Sequence, residues 1–174
     1  MANANFQSPV PAMRILENEH QYLMHLMNEW HVIVLNFEND AYEEIEARTE
    51  FSVLRKLLID FLEPLKNHTD KEEKFFFPLL GHYIGTEQGP IVTIEAEHEE
   101  IDAYIGHFLH HTRAGIDHLS LDDMKRIAKD AGEAFEVLMV HFVKEESVLF
   151  PMTDQVMKAV DQDKLLEQLN TLIV

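Results

Sequence analysis

Two stretches of this chain are copies of one another, and they constrain its fold more than any other feature. Asn67-His-Thr-Asp-Lys-Glu-Glu-Lys-Phe-Phe-Phe-Pro78 aligns with Val140-His-Phe-Val-Lys-Glu-Glu-Ser-Val-Leu-Phe-Pro151, with His, Lys, Glu, Glu, Phe and Pro at matching places. A His and a Glu four residues apart project from the same face of a helix, one turn above the other. Imidazole nitrogen and carboxylate oxygen are ligands suited to a transition metal. The pairs His68/Glu72 and His141/Glu145 therefore point to a two-metal site, with the rest of the chain as its cage. A second repeat supports this: Glu17-Asn-Glu-His20 matches Glu95-Ala-Glu-His98.

Hydrophobic periodicity places these residues on helices. Met13, Leu16, His20, Leu23, Met27, Trp30, Val34 and Phe37 step by threes and fours along a first helix. Ser8 is the expected N-cap, with Pro9 or Pro11 in the first turn. A second stripe is Phe51, Leu54, Leu58, Phe61, Leu65, His68, Glu72, Phe75 and Leu79, with a kink expected at Pro64 and a break at Gly81 and Gly85. Gly89-Pro90 starts a third helix, with Ile91, Ile94, His98, Ile101, Ile105 and Phe108 inward. Ser120 to Asp123 resembles a capping box that opens a fourth. Its stripe is Ile127, Ala131, Ala134, Leu138, His141, Glu145 and Val148, closed or kinked at Pro151. Short connections between four such helices imply antiparallel neighbours. The expected fold is all-α: an up-down-up-down antiparallel four-helix bundle over residues 10–155, with an N-terminal arm over 1–9 and a short helical extension over 156–174. The two halves are related by a pseudo-twofold axis.

Each stripe carries a His, and two also carry a Glu. One core His is more often a satisfied structural residue than a ligand, and inward Glu can equally pair with inward Lys or Arg. No Lys or Arg occupies any of these stripes, however, and a buried carboxylate is costly unless paired or metal-bound. His20, His68, Glu72, His98, His141 and Glu145 are thus the expected metal ligands. His25, His31, His82, His107, His110, His111 and His118 miss the stripes and read as surface or locally bonded residues. Trp30 and the phenylalanines Phe75, Phe76, Phe77 and Phe150 read as packing. Glu19 and Glu97, each just before a ligand His, read equally well as supporting residues and as solvent-exposed surface.

Composition narrows the partners. A formal charge of −18 over 174 residues argues against nucleic acid and anionic membranes. The absence of cysteine excludes thiolate-ligated zinc, iron–sulfur clusters and disulfides. The first residues show no basic region followed by an apolar run, so no secretory signal is expected. No apolar stretch approaches membrane-spanning length. These features read as a soluble, cytoplasmic protein; a homodimer is left open.

With the six positions placed, the pattern resembles the hemerythrin-like (HHE cation-binding) family over about residues 10–155. Its order of His before Glu differs from the Glu-x-x-His of ferritin-like bundles. The resemblance implies a non-haem di-iron centre of two iron ions. Glu72 and Glu145 would bridge them, two His would bind each, and an oxo or hydroxo bridge would complete a centre with an open position. Oxygen-carrying hemerythrins have a second His where Asp102 stands here, and His-x-x-x-x-Asp where this chain has His141-x-x-x-Glu145. The four-His, two-Glu set is closer to the iron-centre repair and nitrosative-stress subfamily. The His spacings of 48, 30 and 43 residues are also similar to that subfamily's. The Cys-containing N-terminal domain common in that subfamily is not in this sequence. Two functions follow as expectations. One is reaction with nitric oxide, oxygen or peroxide, or release of labile iron, under oxidative or nitrosative stress. The alternative is reversible oxygen carriage, storage or sensing without turnover. A weaker third reading puts zinc or manganese in the cage for structure alone.

Overall fold

The computed structural model describes residues 8–170. Most of the expected N-terminal arm and the last four residues of the expected extension lie outside these. Among the described residues every regular element is helical: α1 (Pro11–Glu38), α2 (Glu44–Lys71), α3 (Phe77–Ile84), α4 (Pro90–Thr112), α5 (Leu121–Lys144), α6 (Phe150–Val156) and α7 (Ala159–Leu169). Two π-helical turns, Glu72–Phe76 and Glu145–Leu149, join α2 to α3 and α5 to α6. No helix among the described residues is long and apolar enough to cross a membrane.

Local chemistry explains most boundaries. α1 starts after Val10, with Pro11 in its first turn, where a missing N–H costs nothing. Ser8 is not the cap; its hydroxyl accepts the Val10 N–H at 3.2 Å, and its own N–H donates to Glu17 Oε1 at 3.1 Å. α2 continues unbroken through Pro64. Gly81 lies inside α3, and the chain turns at Gly85, whose φ of 86° favours a residue without Cβ. The capping box at Ser120 forms as expected, Ser120 and Asp123 exchanging two 3.1 Å hydrogen bonds.

α1, α2, α4 and α5 pack around a shared interior as a helical bundle, and α7 lies against α1 and the first π-turn. The buried apolar side chains form two clusters. One includes Leu23, Trp30, Phe51, Phe61, Phe108 and Leu138; the other includes Leu16, Phe76, Phe77, Ile94, Leu149 and Phe150. On each long helix the polar stripe residues fall between them: His20, His68 with Glu72, His98, and His141 with Glu145. Packing is close on the side of the first cluster. A Cβ added at Gly132 of α5 would sit 3.1 Å from Val34 of α1.

The π-turns change the register expected beyond the two Glu. In each, an N–H reaches back five residues, Phe77 to the Glu72 carbonyl and Phe150 to the Glu145 carbonyl. The extra residue rotates the following stripe by one position. Phe76 and Leu80 are buried where Phe75 and Leu79 were expected, and these two are only half-buried. In the second copy Leu149 is fully buried while Val148 is 49% exposed. Pro78 and Pro151 account for the widening. Each follows its π-turn closely, lacks an N–H, and would clash with the carbonyl four residues back in a regular α-helix. Leu149→Ala should therefore cost about 2–5 kcal/mol in urea denaturation, and Val148→Ala no more than about 0.5 kcal/mol. Equal costs would refute the shifted register.

Candidate metal centre

All six expected ligands converge. His20, His68, Glu72, His141 and Glu145 are at most 1% exposed and His98 is 5% exposed. Their contacts pair the histidines: His20 Nε2 lies 3.1 Å from His68 Nε2, and His98 Nε2 lies 3.1 Å from His141 Nε2. Glu72 sits between the pairs, with Oε1 against His68 Nε2 and Oε2 3.7 Å from His98 Nε2. Glu145 Oε1 is 2.7 Å from His141 Nε2 and 3.5 Å from His20 Nε2. Two groups of donor atoms could each hold a metal ion. One is His20, His68, Glu72 and Glu145; the other is Glu72, His98 and His141. Glu72 belongs to both.

An outer ring of carboxylates sets the orientation of the four rings. His20 Nδ1–H donates to Glu146 at 3.0 Å and His98 Nδ1–H to Glu73 at 2.8 Å. His68 Nδ1–H donates to Glu19 at 2.8 Å and His141 Nδ1–H to Glu97 at 2.9 Å. A carboxylate can only accept, so these bonds place a proton on Nδ1 and turn Nε2 inward as the ligand atom. Glu19 and Glu97 are each also held by an ammonium, from Lys71 and Lys144 respectively. Every one of these bonds has its counterpart under exchange of the two halves.

The donor set fits a bound cation. The four carboxylate oxygens of Glu72 and Glu145 are buried without a hydrogen-bond donor among the described residues. Without metal, protons must carry the compensation. Burial opposes charge on the His68 ring, but Glu72 and the bond to Glu19 outweigh it and its pKa is pushed up to about 10. Burial, and then the neighbouring Glu72, push the Glu145 carboxyl well above its ordinary range. Burial also acts to raise Glu72, yet His68 and then Glu145 hold it well below.

Sequence periodicity located the six inward residues but missed half of what surrounds them. Glu19 and Glu97 are buried supporting residues, not surface. Glu73 and Glu146 were not singled out, although the doubled Glu in both repeats was the available signal. Lys71 lies beside the stripe of its helix rather than in it, yet it is only 5% exposed and pairs with Glu19. Of the other histidines, His31 is half-buried, stacked at 3.5 Å on Phe135, and the remaining six are exposed. A small cavity of about 10 Å³ adjoins the centre. His68, His98 and His141 line it, together with apolar Leu65, Ile101, Leu138 and Phe142. Thr69 and Asp102 are the lining residues that reach solvent.

The sequence profile described as the hemerythrin HHE cation binding domain matches residues 12–153, which include all six inward residues and the four outer carboxylates. The chain belongs to the hemerythrin HHE cation-binding family. Among curated proteins this hemerythrin-family chain is similar to the iron-sulfur cluster repair protein YtfE of Escherichia coli O157:H7. The two are 31% identical over 100 residues, covering 56% of this chain and 46% of the relative. The protein of the same name from Escherichia fergusonii is also 31% identical, over 101 residues with the same coverage. The chain thus spans about half the length of the curated relatives it matches.

Two outcomes test the centre. In the metal-free protein Glu145 has a raised folded-state pKa, so its contribution to stability is present below the ordinary carboxyl range and lost as pH rises through the raised value. Glu145→Gln removes that dependence. The variant should gain on the wild type in metal-free melting temperature as pH rises from acid to neutral, while binding less metal. Glu19→Ala should destabilise the metal-free protein by about 1–3 kcal/mol in denaturant titration, because it removes the acceptor of the buried His68 Nδ1–H and one carboxylate beside buried Lys71. Glu97→Ala should cost less, since the Lys144 side chain is 46% exposed and can turn to water.

Proposed function

We propose that this chain is a non-haem di-iron protein, with His20 and His68 holding one iron, His98 and His141 the other, and Glu72 and Glu145 shared between them. One observation carries the reading: four inward Nε2 atoms and four carboxylate oxygens, without hydrogen-bond donors among the described residues, meet in a single buried layer. Family membership supports cation binding, and a nitrogen and oxygen donor set without thiolate suits iron. When bound, two irons would supply one-electron chemistry and a coordination position for a small molecule.

The chain's own residues supply the rest. Glu146, Glu19, Glu73 and Glu97 fix the four imidazoles by accepting their Nδ1 protons, which makes each Nε2 a better donor. Lys71 and Lys144 each bond the second carboxylate oxygen of Glu19 and Glu97, which holds those carboxylates in place for the Nδ1 bonds. The two apolar clusters keep water from the layer. The short links between α1 and α2 and between α4 and α5 support an up-down-up-down course for the four long helices.

The favoured activity is reaction with nitric oxide, oxygen or peroxide, or release of labile iron, in oxidative or nitrosative stress. The relatives named for iron–sulfur cluster repair support the stress role. A second reading, reversible oxygen binding, draws support from the apolar side chains Leu65, Ile101, Leu138 and Phe142 in the cavity lining, which would limit proton access to a bound ligand. Anaerobic iron loading should give two irons per chain. Titration with oxygen and then nitric oxide, followed optically, separates the readings. Irreversible oxidation with nitric oxide consumption or iron release supports the stress role, and an oxygen band that vanishes on degassing supports carriage. Zinc retained in place of iron would overturn both.

A further inference from the structure

The internal repeat allows each residue around the centre to be compared with its counterpart. Ligands, outer carboxylates and both Lys match, as do Leu65 with Leu138 and Phe77 with Phe150. Two nearby pairs do not: Thr69 stands where the other half has Phe142, and Asp102 where it has Met24. The structure shows the consequence. On His20, Phe142 stacks at 4.2 Å and 26° and Phe150 at 5.6 Å and 19°. On His98, Phe77 stacks at 5.9 Å and 23°, and the position equivalent to Phe142 holds the much smaller Thr69. The small cavity lies on that side, touching His98 and His141 and also His68, and Thr69 and Asp102 are its lining residues that reach solvent.

We infer that small molecules reach the centre only from the His98/His141 side, through the gap between Thr69 and Asp102, and that Phe142 closes the equivalent path to His20. About 10 Å³ is space for about one water-sized molecule, so only the smallest ligands can approach this way. Asp102 at the mouth, with the Glu73 carboxylate bonded to His98 and 43% exposed, makes the approach acidic. Like charges repel an anion there and leave an uncharged molecule unaffected. The selected class is therefore a neutral diatomic, with small anions disfavoured. Thr69 and Asp102 act as access and selectivity residues, and neither is a metal ligand. The inference rests on the di-iron reading above.

The test uses the full chain loaded with ferrous iron, with nitric oxide as the neutral probe and azide as the anionic one, at a pH well above the carboxyl range. Thr69→Phe should slow nitric oxide association by about tenfold or more, a barrier increase of about 1.4 kcal/mol. Its iron content and melting temperature should match the wild type. Asp102→Asn should accelerate azide binding by at least about threefold and leave the nitric oxide rate within about twofold. A crystal soaked in azide should show the anion beside His98 and His141. Phe142→Val serves as the converse variant, opening the His20 side and restoring fast binding in the Thr69→Phe background. Unchanged rates in Thr69→Phe, or azide beside His20 and His68, would overturn the inference while leaving the di-iron reading intact. A chain that takes up two irons but binds neither probe would overturn this inference and the ligand chemistry together, and failure to take up two irons would overturn the di-iron reading itself.

Discussion

Glu72 and Glu145 sit in the middle of the helical bundle with no exposure and, among the described residues, no hydrogen-bond donor on any of their four oxygens. An ionised carboxylate in such a place costs several kcal/mol unless a cation or several donors compensate. The protein holds two Lys close by, but both are committed to the outer carboxylates Glu19 and Glu97. The compensation within the layer must come from protons in the metal-free chain and from cations in the loaded one. The interior is therefore built as two apolar clusters separated by a charged layer, and the bundle's stability is tied to what fills that layer.

The outer carboxylates are where the design of this layer is most economical. Each imidazole is anchored through Nδ1 to a Glu on another helix, so the bonds that aim the rings also tie helices together. The doubled Glu of each repeat serves twice. Its first member faces inward to the metal layer, and its second reaches the His of a helix in the opposite half. Neighbouring residues face such different directions because each step along a helix turns by about 100°, and the π-turn begins there. A regular α-helix drifts about 40° with every step of four residues. The widened turn absorbs the drift, and His68, Glu72, Phe76 and Leu80 remain on one buried face. Such turns are frequent at functional sites, and here the Pro that follows each one makes it the easier conformation.

The symmetry is strict where ligands must be held and broken where a ligand must come in. Exchange of the two halves maps every Nδ1 bond onto another, whereas Thr69 and Phe142, which differ in size by most of an aromatic ring, occupy equivalent places. The cost of that break is small, because a cavity of about 10 Å³ forfeits few packing contacts. A departure at these two positions beside one histidine pair distinguishes the two histidine pairs without loosening either.

Much of this was legible in the chain itself. The six inward residues, their order along four helices and the relation between halves follow from the repeat and from hydrophobic period, because that period reports which face of its own helix a residue occupies. The burial of Glu19 and Glu97 could not be read in this way, since a residue at the edge of a stripe is equally placed for water or for a neighbouring helix. Phe75, Leu79 and Val148 were misplaced because a 3.6-residue period assumes one kind of helix throughout. The pairing of His20 with His68 and of His98 with His141, the bonds from Glu73 and Glu146, and the single open side at Thr69 were decided only by the tertiary structure. Each depends on how far helices rotate and slide against one another, and a sequence period holds no information about the neighbour's axis. The sequence determined what the layer is made of; the packing of the helices determined which atoms face each other across it.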